Sequence, residues 1–129
     1  MSALFVRGNA VIPLTPNETH VDKEGYLVTI ASDVASLSAS ATVVATGVIL
    51  EGRATTGQSG VGILGALSGT VRLKLSGTVT KGARVQQGTD GSVVTDAASG
   101  ARVVVGVALE SGVSGDLIEV ATFTPVTLS

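Results

Sequence analysis

The most regular stretch of the sequence reads Gly69-Thr70-Val71-Arg72-Leu73-Lys74-Leu75-Ser76-Gly77-Thr78-Val79-Thr80-Lys81-Gly82-Ala83-Arg84-Val85, and Gln86-Gln87-Gly88-Thr89-Asp90-Gly91 follows it. Val71, Leu73 and Leu75 alternate with basic residues, which is the period-two pattern of a strand with one buried face. Asp90-Gly91 supplies the positive φ of a tight hairpin turn, and Ser92 to Thr95 follows as the return strand. The stretch therefore predicts short antiparallel strands joined by tight turns.

The composition extends this prediction to the whole chain. With 129 residues, the sequence is long enough for one domain with its own core. Hydrophobic residues make up 44% of the chain but aromatic residues only 2%, so the core must consist of Val, Leu, Ile and Ala. Seventeen glycines predict many tight turns. Cysteine is absent, which excludes a disulfide framework and a thiolate metal site.

The charge pattern argues against several classes of partner. Charged residues make up 14% of the chain, the net charge is −2, and both signs are scattered. Without a basic stripe or interleaved aromatic residues, we expect no direct nucleic-acid binding. The longest apolar stretch, Ala101 to Leu109, is far too short to span a membrane. Met1 to Arg7 lacks the layout of a signal peptide, so we expect synthesis and use without export by that route.

Residues 1–21 differ from the rest of the chain. Pro13 and Pro16 exclude a regular helix or a central strand here, and we expect an extended arm with one short strand around Asn9 to Leu14. Two interpretations remain open. The arm is either the first edge strand of the domain or a tail that lies on a neighbouring subunit.

The domain proper, residues 22–129, contains two copies of one pattern. Three blocks recur in the same order: Lys23-Glu24-Gly25 with Thr80-Lys81-Gly82, Gly47-Val48-Ile49-Leu50-Glu51 with Gly106-Val107-Ala108-Leu109-Glu110, and Gly57-Gln58-Ser59-Gly60 with Gly112-Val113-Ser114-Gly115. The order indicates an internal duplication, with pseudo-repeats at about 22–76 and 77–129. Gly47 and Gly106 fall at equivalent places and predict a bend or a close backbone approach.

These observations predict an all-β fold. We expect a small β-barrel or sandwich of short antiparallel strands, built from the duplication and carrying the extended N-terminal arm. Leu117 to Phe123 is the expected last strand, followed by Pro125 and a short tail. The stretch from Ser32 to Ala45 is ambiguous, because Ser32 or Asp33 could cap a helical turn while the Ser and Thr content favours a loop or strand.

No residue pattern predicts catalysis, so we expect a protein that is not an enzyme and binds no cofactor or metal. Gly60-Val61-Gly62-Ile63-Leu64-Gly65 matches the dinucleotide fingerprint, but a β-patterned segment follows it where a helix is required. We interpret these glycines as a bulged strand. His20 is the only histidine; it lies on the arm, and we expect it to be solvated.

The ordered blocks carry a resemblance to a known family. They are the Gly69-to-Gly82 stretch, Thr89-Asp90-Gly91, Val105-Gly106-Val107-Ala108-Leu109-Glu110 and Gly115-Asp116-Leu117-Ile118-Glu119-Val120. In this order they resemble the capsid cement, or decoration, proteins of tailed bacteriophages. The resemblance covers about residues 22–122 and leaves the arm outside it.

The resemblance implies a structural virion protein on the outer surface of the mature capsid. Such proteins commonly sit where capsomers meet, often as trimers, and clamp adjacent copies of the major capsid protein. For the contacts themselves we expect Leu4, Phe5, Val6 and Arg7, because apolar residues on an extended arm can add a strand to a partner or fill its groove. The alternative is a β-rich receptor-binding or attachment module of a phage tail or fibre, which should display exposed aromatic residues.

Overall fold

The computed structural model describes residues 10–67 and 69–129, and within these ranges all regular secondary structure is β-strand. The strands are β1 (Val11–Pro16), β2 (Leu27–Ala31), β3 (Val34–Leu37), β4 (Gly47–Glu51), β5 (Ser59–Ile63), β6 (Val71–Lys74), β7 (Arg84–Gln87), β8 (Val93–Thr95), β9 (Arg102–Ala108) and β10 (Leu117–Leu128). The same ranges hold no helix that is long and apolar enough to cross a membrane.

The ten strands form two sheets, which we call the first unit (β1–β5) and the second unit (β6–β10). The first unit is a closed barrel with the order β1-β3-β2-β4-β5, in which β1 is antiparallel to β5 and parallel to β3. The second unit is a curled sheet with the order β6-β10-β9-β7-β8. In the second unit, β6 and β8 correspond to β1 and β3. A single parallel bridge, from Leu75 at the end of β6 to Val93 in β8, takes the place of the β1–β3 pairing. The two units therefore share one topology, and the first is the more fully closed.

The two units also share their strand register. Two residues that pair across strands in the first unit have equivalents 57 to 59 positions later in the chain, and these equivalents pair in the second unit. Matching pairs, first unit then second, are Leu27–Val48 and Arg84–Val107, Val28–Gly47 and Val85–Gly106, Ile49–Val61 and Ala108–Val120, Leu14–Ser59 and Leu73–Ile118, and Pro16–Ala35 and Leu75–Val93. The duplication is therefore structural, and its repeating unit starts one strand earlier than the matched sequence blocks.

Glycines at equivalent positions allow this repetition. Gly25 and Gly82 have φ values of 87° and 91°. The Tyr26 amide donates to the Lys23 carbonyl at 3.1 Å, and the Ala83 amide donates to the Thr80 carbonyl at 3.0 Å. Both turns therefore have the hydrogen bond and the positive-φ glycine of a type II β-turn. Gly47 and Gly106 confirm the predicted close approach. A Cβ at either position would lie 2.5 or 2.6 Å from an atom of the neighbouring strand.

The core has two parts. The interior of the first unit is a cluster of aliphatic side chains: Leu14, Val28, Ala35, Ile49 and Val61. The equivalent interior residues of the second unit belong to a larger cluster, and Leu27, Ala45, Val48 and Leu64 of the first unit pack into that same cluster. Burial of these aliphatic groups is the main force that holds the units together.

The most regular stretch of the sequence folds as predicted. Val71 and Leu73 are buried while Arg72 is exposed, and β7 and β8 form the predicted hairpin with Gly91 at φ 86°. The ambiguous stretch contains strand β3, which pairs with β2 across a turn where Ser32 has φ 57°, so it does not open a helix.

The prediction that the last strand ends at Phe123 was wrong. Strand β10 continues to Leu128 and pairs with β9 as far as Arg102. The continuation passes Pro125 because the pairing is interrupted by a bulge between Thr122 and Val126. A bulge is one of the few places in a sheet where proline, which lacks an N–H group, is tolerated.

The described part of the N-terminal arm belongs to the first unit. The strand predicted around Asn9 to Leu14 is present as β1, Val11–Pro16, and has a strand partner on each side. Residues 10–21 therefore belong to the domain, but the expectations of an edge strand and of no central strand were wrong, because β1 lies between β3 and β5. The two prolines are tolerated because each has a strand partner on one side only: Pro13 opposes Gly60 of β5, and Pro16 opposes Ala35 of β3. Residues 1–9 lie outside the described ranges, so a tail on a neighbouring subunit stays a prediction.

Candidate interaction surface

Eight large apolar side chains are exposed in residues 10–67 and 69–129. They are Val21, Val43, Val44, Leu50, Leu109, Val113, Leu117 and Val126. Single exposed apolar residues are normal on a protein surface, whereas neighbouring ones that line a concavity indicate a binding site. Two of the eight, Leu50 and Leu117, share such a concavity.

This concavity is a cleft of about 170 Å³ between the two units. Its lining consists of Glu24, Gly25, Ile49, Leu50, Val71, Arg72 and Leu117. The turn at Gly25 sets its width, because a Cβ at that position would lie 2.5 Å from Leu117 Cδ2 and 3.0 Å from the Arg72 carbonyl oxygen. We call this concavity the inter-unit cleft.

The rim of the inter-unit cleft is polar and held by hydrogen bonds. On the second unit, Arg72 Nη1 donates to the Leu117 carbonyl at 3.1 Å and to Glu110 Oε1 at 3.4 Å. On the first unit, Glu24 Oε2 accepts a 2.7 Å bond from the Gly52 amide. The cleft thus combines an apolar floor with one acidic and one basic edge, an arrangement suited to an apolar side chain flanked by polar groups.

A second exposed apolar site is the loop that carries Val43 and Val44. Gln87 of the second unit, which is buried, fixes this loop of the first unit. Its Oε1 accepts from the Ala45 amide at 2.7 Å, and its Nε2 donates to the Val43 carbonyl at 2.8 Å and to the Ser40 carbonyl at 3.2 Å. Because its backbone is anchored by one buried amide, the loop presents its valines in a fixed conformation.

A larger cavity of about 300 Å³ lies beside the only tyrosine. Its lining is Glu18, Lys23, Tyr26, Leu37, Ser38, Ala39 and Asp90. The Lys23 ammonium lies 4.8 Å from the centroid of the Tyr26 ring, in a cation–π contact that covers one ring face. That face is therefore not open for stacking against a sugar.

The predicted contact residues Leu4, Phe5, Val6 and Arg7 lie outside the described residues. The chain enters the described part at Ala10, whose carbonyl accepts a 2.9 Å hydrogen bond from the Ile63 amide. The next residue, Val11, pairs with Gly62, and a Cβ on that glycine would lie 3.1 Å from Leu50 Cδ1. The arm therefore enters the first unit close to the inter-unit cleft.

Sequence reasoning missed the inter-unit cleft. In the sequence, Leu50 belongs to a repeated block together with its equivalent, Leu109. Both are 37% exposed, yet only Leu50 lines the cleft. The available signal was an apolar residue at the end of a strand, and it could not tell the two leucines apart.

The glycine-rich fingerprint forms no nucleotide-binding turn. Ser59 to Ile63 is strand β5, and Gly65 follows in a turn with φ 84°. The irregular pairing lies in β4, between Ile49 and Glu51, opposite β5. The glycine strand is therefore paired with a bulged strand and is not itself the bulged one. Among the described residues between β5 and β6 there is no helix.

The prediction that His20 is solvated was wrong. Its side chain is fully buried, and its Nδ1 lies 3.2 Å from the hydroxyl oxygen of Ser59. No other described atom bonds its Nε2. Burial lowers the pKa of His20, and the nearby carboxylate of Glu18 offsets part of that shift. In the described ranges no group of His, Asp and Glu is arranged to hold a metal ion.

A buried ion pair ties β9 to the β8–β9 connection in the second unit. Asp96 accepts from Arg102 Nε and, at 2.9 Å, from Arg84 Nη2. The side chains of Asp96 and Arg102 are each only 7% exposed. Burial alone would raise the pKa of Asp96, but hydrogen bonds from the Ala98 amide and both arginines outweigh it and hold the pKa below its usual range.

No protein-family model matches the sequence, and no curated protein matches it.

Proposed function

We propose that this protein is a capsid cement protein, which binds the outer surface of a mature phage head and clamps adjacent copies of the major capsid protein. Two observations support the proposal. The ordered sequence blocks resemble that family, and the inter-unit cleft offers an apolar docking site between two tightly packed units. The cleft is the observation that carries it, because its floor and rim suit a protein partner.

The cleft would act by accepting an apolar side chain from the capsid surface. Leu50 and Leu117 would contact that side chain, while Glu24 and Arg72 would orient polar groups around it. Arg72 is already held by its bonds to Leu117 and Glu110, so little side-chain freedom would be lost on binding. One such contact is modest. A trimer that engages several capsid subunits at once would gain avidity from effective concentration.

Co-sedimentation with phage heads tests this proposal. Purified protein is mixed with expanded heads that lack it, and unexpanded shells serve as the control. We expect saturable binding to expanded heads at a fixed ratio to the major capsid protein. Absence of binding to both shells would overturn the proposal and turn attention to the attachment-module alternative, which a glycan screen would then examine.

Matched variants test which surface makes the contact. Leu50→Ser should reduce head occupancy at least tenfold, which corresponds to about 1.4 kcal/mol of binding free energy. Leu109→Ser changes the equivalent leucine, with the same 37% exposure, and should leave occupancy unchanged. Deletion of residues 1–8 tests Leu4, Phe5, Val6 and Arg7 separately. Equal occupancy for both leucine variants would exclude the cleft and leave the arm as the candidate.

A further inference from the structure

His20 occupies a position whose equivalent in the second unit is apolar. The His20 amide donates to the Arg53 carbonyl at 2.8 Å, and the Val79 amide donates to the Gly112 carbonyl at 2.9 Å. Because these two bonds occupy equivalent places in the repeat, His20 corresponds to Val79. The fold accepts valine there, so the imidazole is not required for the backbone arrangement.

The partner of His20 differs in the same way. Ser59, beside the imidazole, pairs with Leu14, and its equivalent in the second unit, Ile118, pairs with Leu73. Ile118 is 2% exposed and Val79, the equivalent of His20, is 1% exposed. A buried polar pair in the first unit thus stands where the second unit has two aliphatic residues.

The polar pair is incompletely satisfied. The Ser59 hydroxyl accepts from the Arg53 amide at 3.1 Å and has one proton, which it can donate to His20 Nδ1. In either neutral tautomer, Nε2 has no partner among the described residues. In the imidazolium form, Nε2 would be a charged donor that is buried without an acceptor among the described residues, and burial disfavours that form.

The charged groups around His20 are few and mostly engaged. Glu18 lies on the same segment and favours the imidazolium. From the end of β4, Glu51 and Arg53 form an exposed ion pair with each other. Glu24 accepts from the Gly52 amide, and the backbone at Gly52 packs against the His20 carbonyl, which would lie 1.8 Å from a Cβ there.

The His20 segment also connects the two units. The His20 carbonyl accepts from the Lys23 amide at 3.0 Å. Two residues later, the Gly25 amide donates to the Ile49 carbonyl at 2.9 Å, and the Gly25 carbonyl accepts from the Lys74 amide of the second unit at 3.0 Å. Movement of this segment would therefore weaken the hydrogen bond between Lys74 and Gly25, which we call the joint between the units. It would also change the inter-unit cleft beside that bond.

We propose that His20 is a pH-sensitive switch: its protonation in mildly acidic solution releases the segment from His20 to Gly25 and loosens the joint between the units. Because the folded-state pKa is lowered, the unfolded chain takes up the proton first as the pH falls through about 6.5. Stability is therefore complete above that pH and declines below it until the folded-state pKa is reached. The second unit, with valine and isoleucine, has no such group.

The titration of wild-type protein by NMR is the first test. His20 is the only histidine, so its imidazole signals are unambiguous. We expect the His20 imidazole to titrate with a midpoint below pH 6.5. As the pH falls past that midpoint, the amides of Gly25 and Lys74 should exchange faster with solvent, after correction for intrinsic exchange rates. The Gly82 amide, which bonds the Ala108 carbonyl at 2.8 Å in the second unit, is the internal control. A midpoint at or above 6.5, or equal responses at Gly25 and Gly82, would overturn the proposal.

A variant gives an independent test. His20→Val combined with Ser59→Ile installs the residue pair of the second unit. Between pH 7.5 and pH 5, the Tm of the wild-type protein should fall further than the Tm of the variant. The extra fall should be about 3–5 °C for each pH unit by which the pKa of His20 in the folded protein lies below its pKa in the unfolded chain. Parallel Tm profiles would contradict the switch. If the variant does not fold, the wild-type titration still decides the question.

Discussion

The first and second units share topology and register but differ in where they bury polar groups. The first unit buries His20 against Ser59, whereas the second has Val79 and Ile118 at those places. The reverse holds at another pair of positions, where Ile30 of the first unit corresponds to the buried Gln87 of the second. The comparison teaches that the hydrogen-bonded framework and its glycine turns define the fold, while individual core positions can change chemical character.

Gln87 and His20 differ in how well they are satisfied. The Gln87 amide bonds backbone groups of the other unit through both its oxygen and its nitrogen. The His20 ring has one partner and leaves Nε2 alone among the described atoms. A fully bonded buried amide stabilises one arrangement, whereas a half-bonded imidazole makes its surroundings sensitive to protonation.

The largest stability effect is expected at the buried ion pair of the second unit; the ion pair described in the first unit, Glu51 with Arg53, is exposed. Asp96→Asn removes the charge that Arg102 and Arg84 share and leaves Arg102 buried without an anion. We expect a loss of about 3 kcal/mol in the free energy of unfolding at pH 7, measured by urea denaturation. Arg84→Gln is the control, because the exposed Arg84 should contribute below about 1 kcal/mol.

The same variant has a predicted pH signature. Because the folded-state pKa of Asp96 is depressed, its contribution is present above the unfolded pKa of about 4 and is lost as the pH falls through the folded value. Wild-type protein should therefore lose stability below about pH 4 more steeply than Asp96→Asn. Equal slopes would show that the carboxylate does not stabilise the second unit in this way.

A smaller loss is expected when Gln87 is made like its counterpart. Gln87→Ile places the residue of the first unit in the second and leaves the Ala45 amide and the Val43 carbonyl without their partner. We expect a loss of about 2 kcal/mol in the free energy of unfolding and faster exchange of the Ala45 amide. Ile30→Val is the control, since it creates no unpaired polar group. An unchanged Ala45 exchange rate would mean that Gln87 does not hold the loop.

Losses no larger than that of Gln87→Ile are expected at the two equivalent glycine turns. Gly82→Ala introduces strain at a positive φ but meets no atom within 4 Å, so it should cost about 1 kcal/mol. Gly25→Ala adds a collision with Leu117 and should cost roughly twice as much. Thermal unfolding of both variants measures the difference. Identical Tm values would contradict the close packing of the turn at the inter-unit cleft.

Much of the fold could be predicted because its signals are local. Alternation at Val71, Leu73 and Leu75, and the Asp90-Gly91 turn, each need only a few neighbouring residues. The equivalence of Gly47 and Gly106 can also be predicted from the sequence, because the matched blocks keep the same order even where their side chains differ.

The features that were missed depend on residues far apart in the chain. The buried His20 ring contacts Ser59, which is 39 residues away, and the His20 carbonyl packs against the backbone at Gly52. Leu50 and Leu109 lie in similar local sequences, Val-Ile-Leu-Glu and Val-Ala-Leu-Glu, and only the packing of one unit on the other places Leu50 in the inter-unit cleft. Strand β10 passes Pro125 because of a bulge that local sequence does not reveal.

The pairing of the first and last strands within each unit has a consequence for protein synthesis. The first unit has all its strands once Ile63 has been made, before any strand of the second exists. Because chains emerge N-terminal end first, this barrel can close on the ribosome while the second unit is still unfinished. Until the second unit has folded, Leu27 and Val48 lie on the outside of the barrel without the side chains of the second unit that bury them. Between the completion of β5 and the arrival of β10, the closed barrel therefore carries an apolar patch that only the second unit covers.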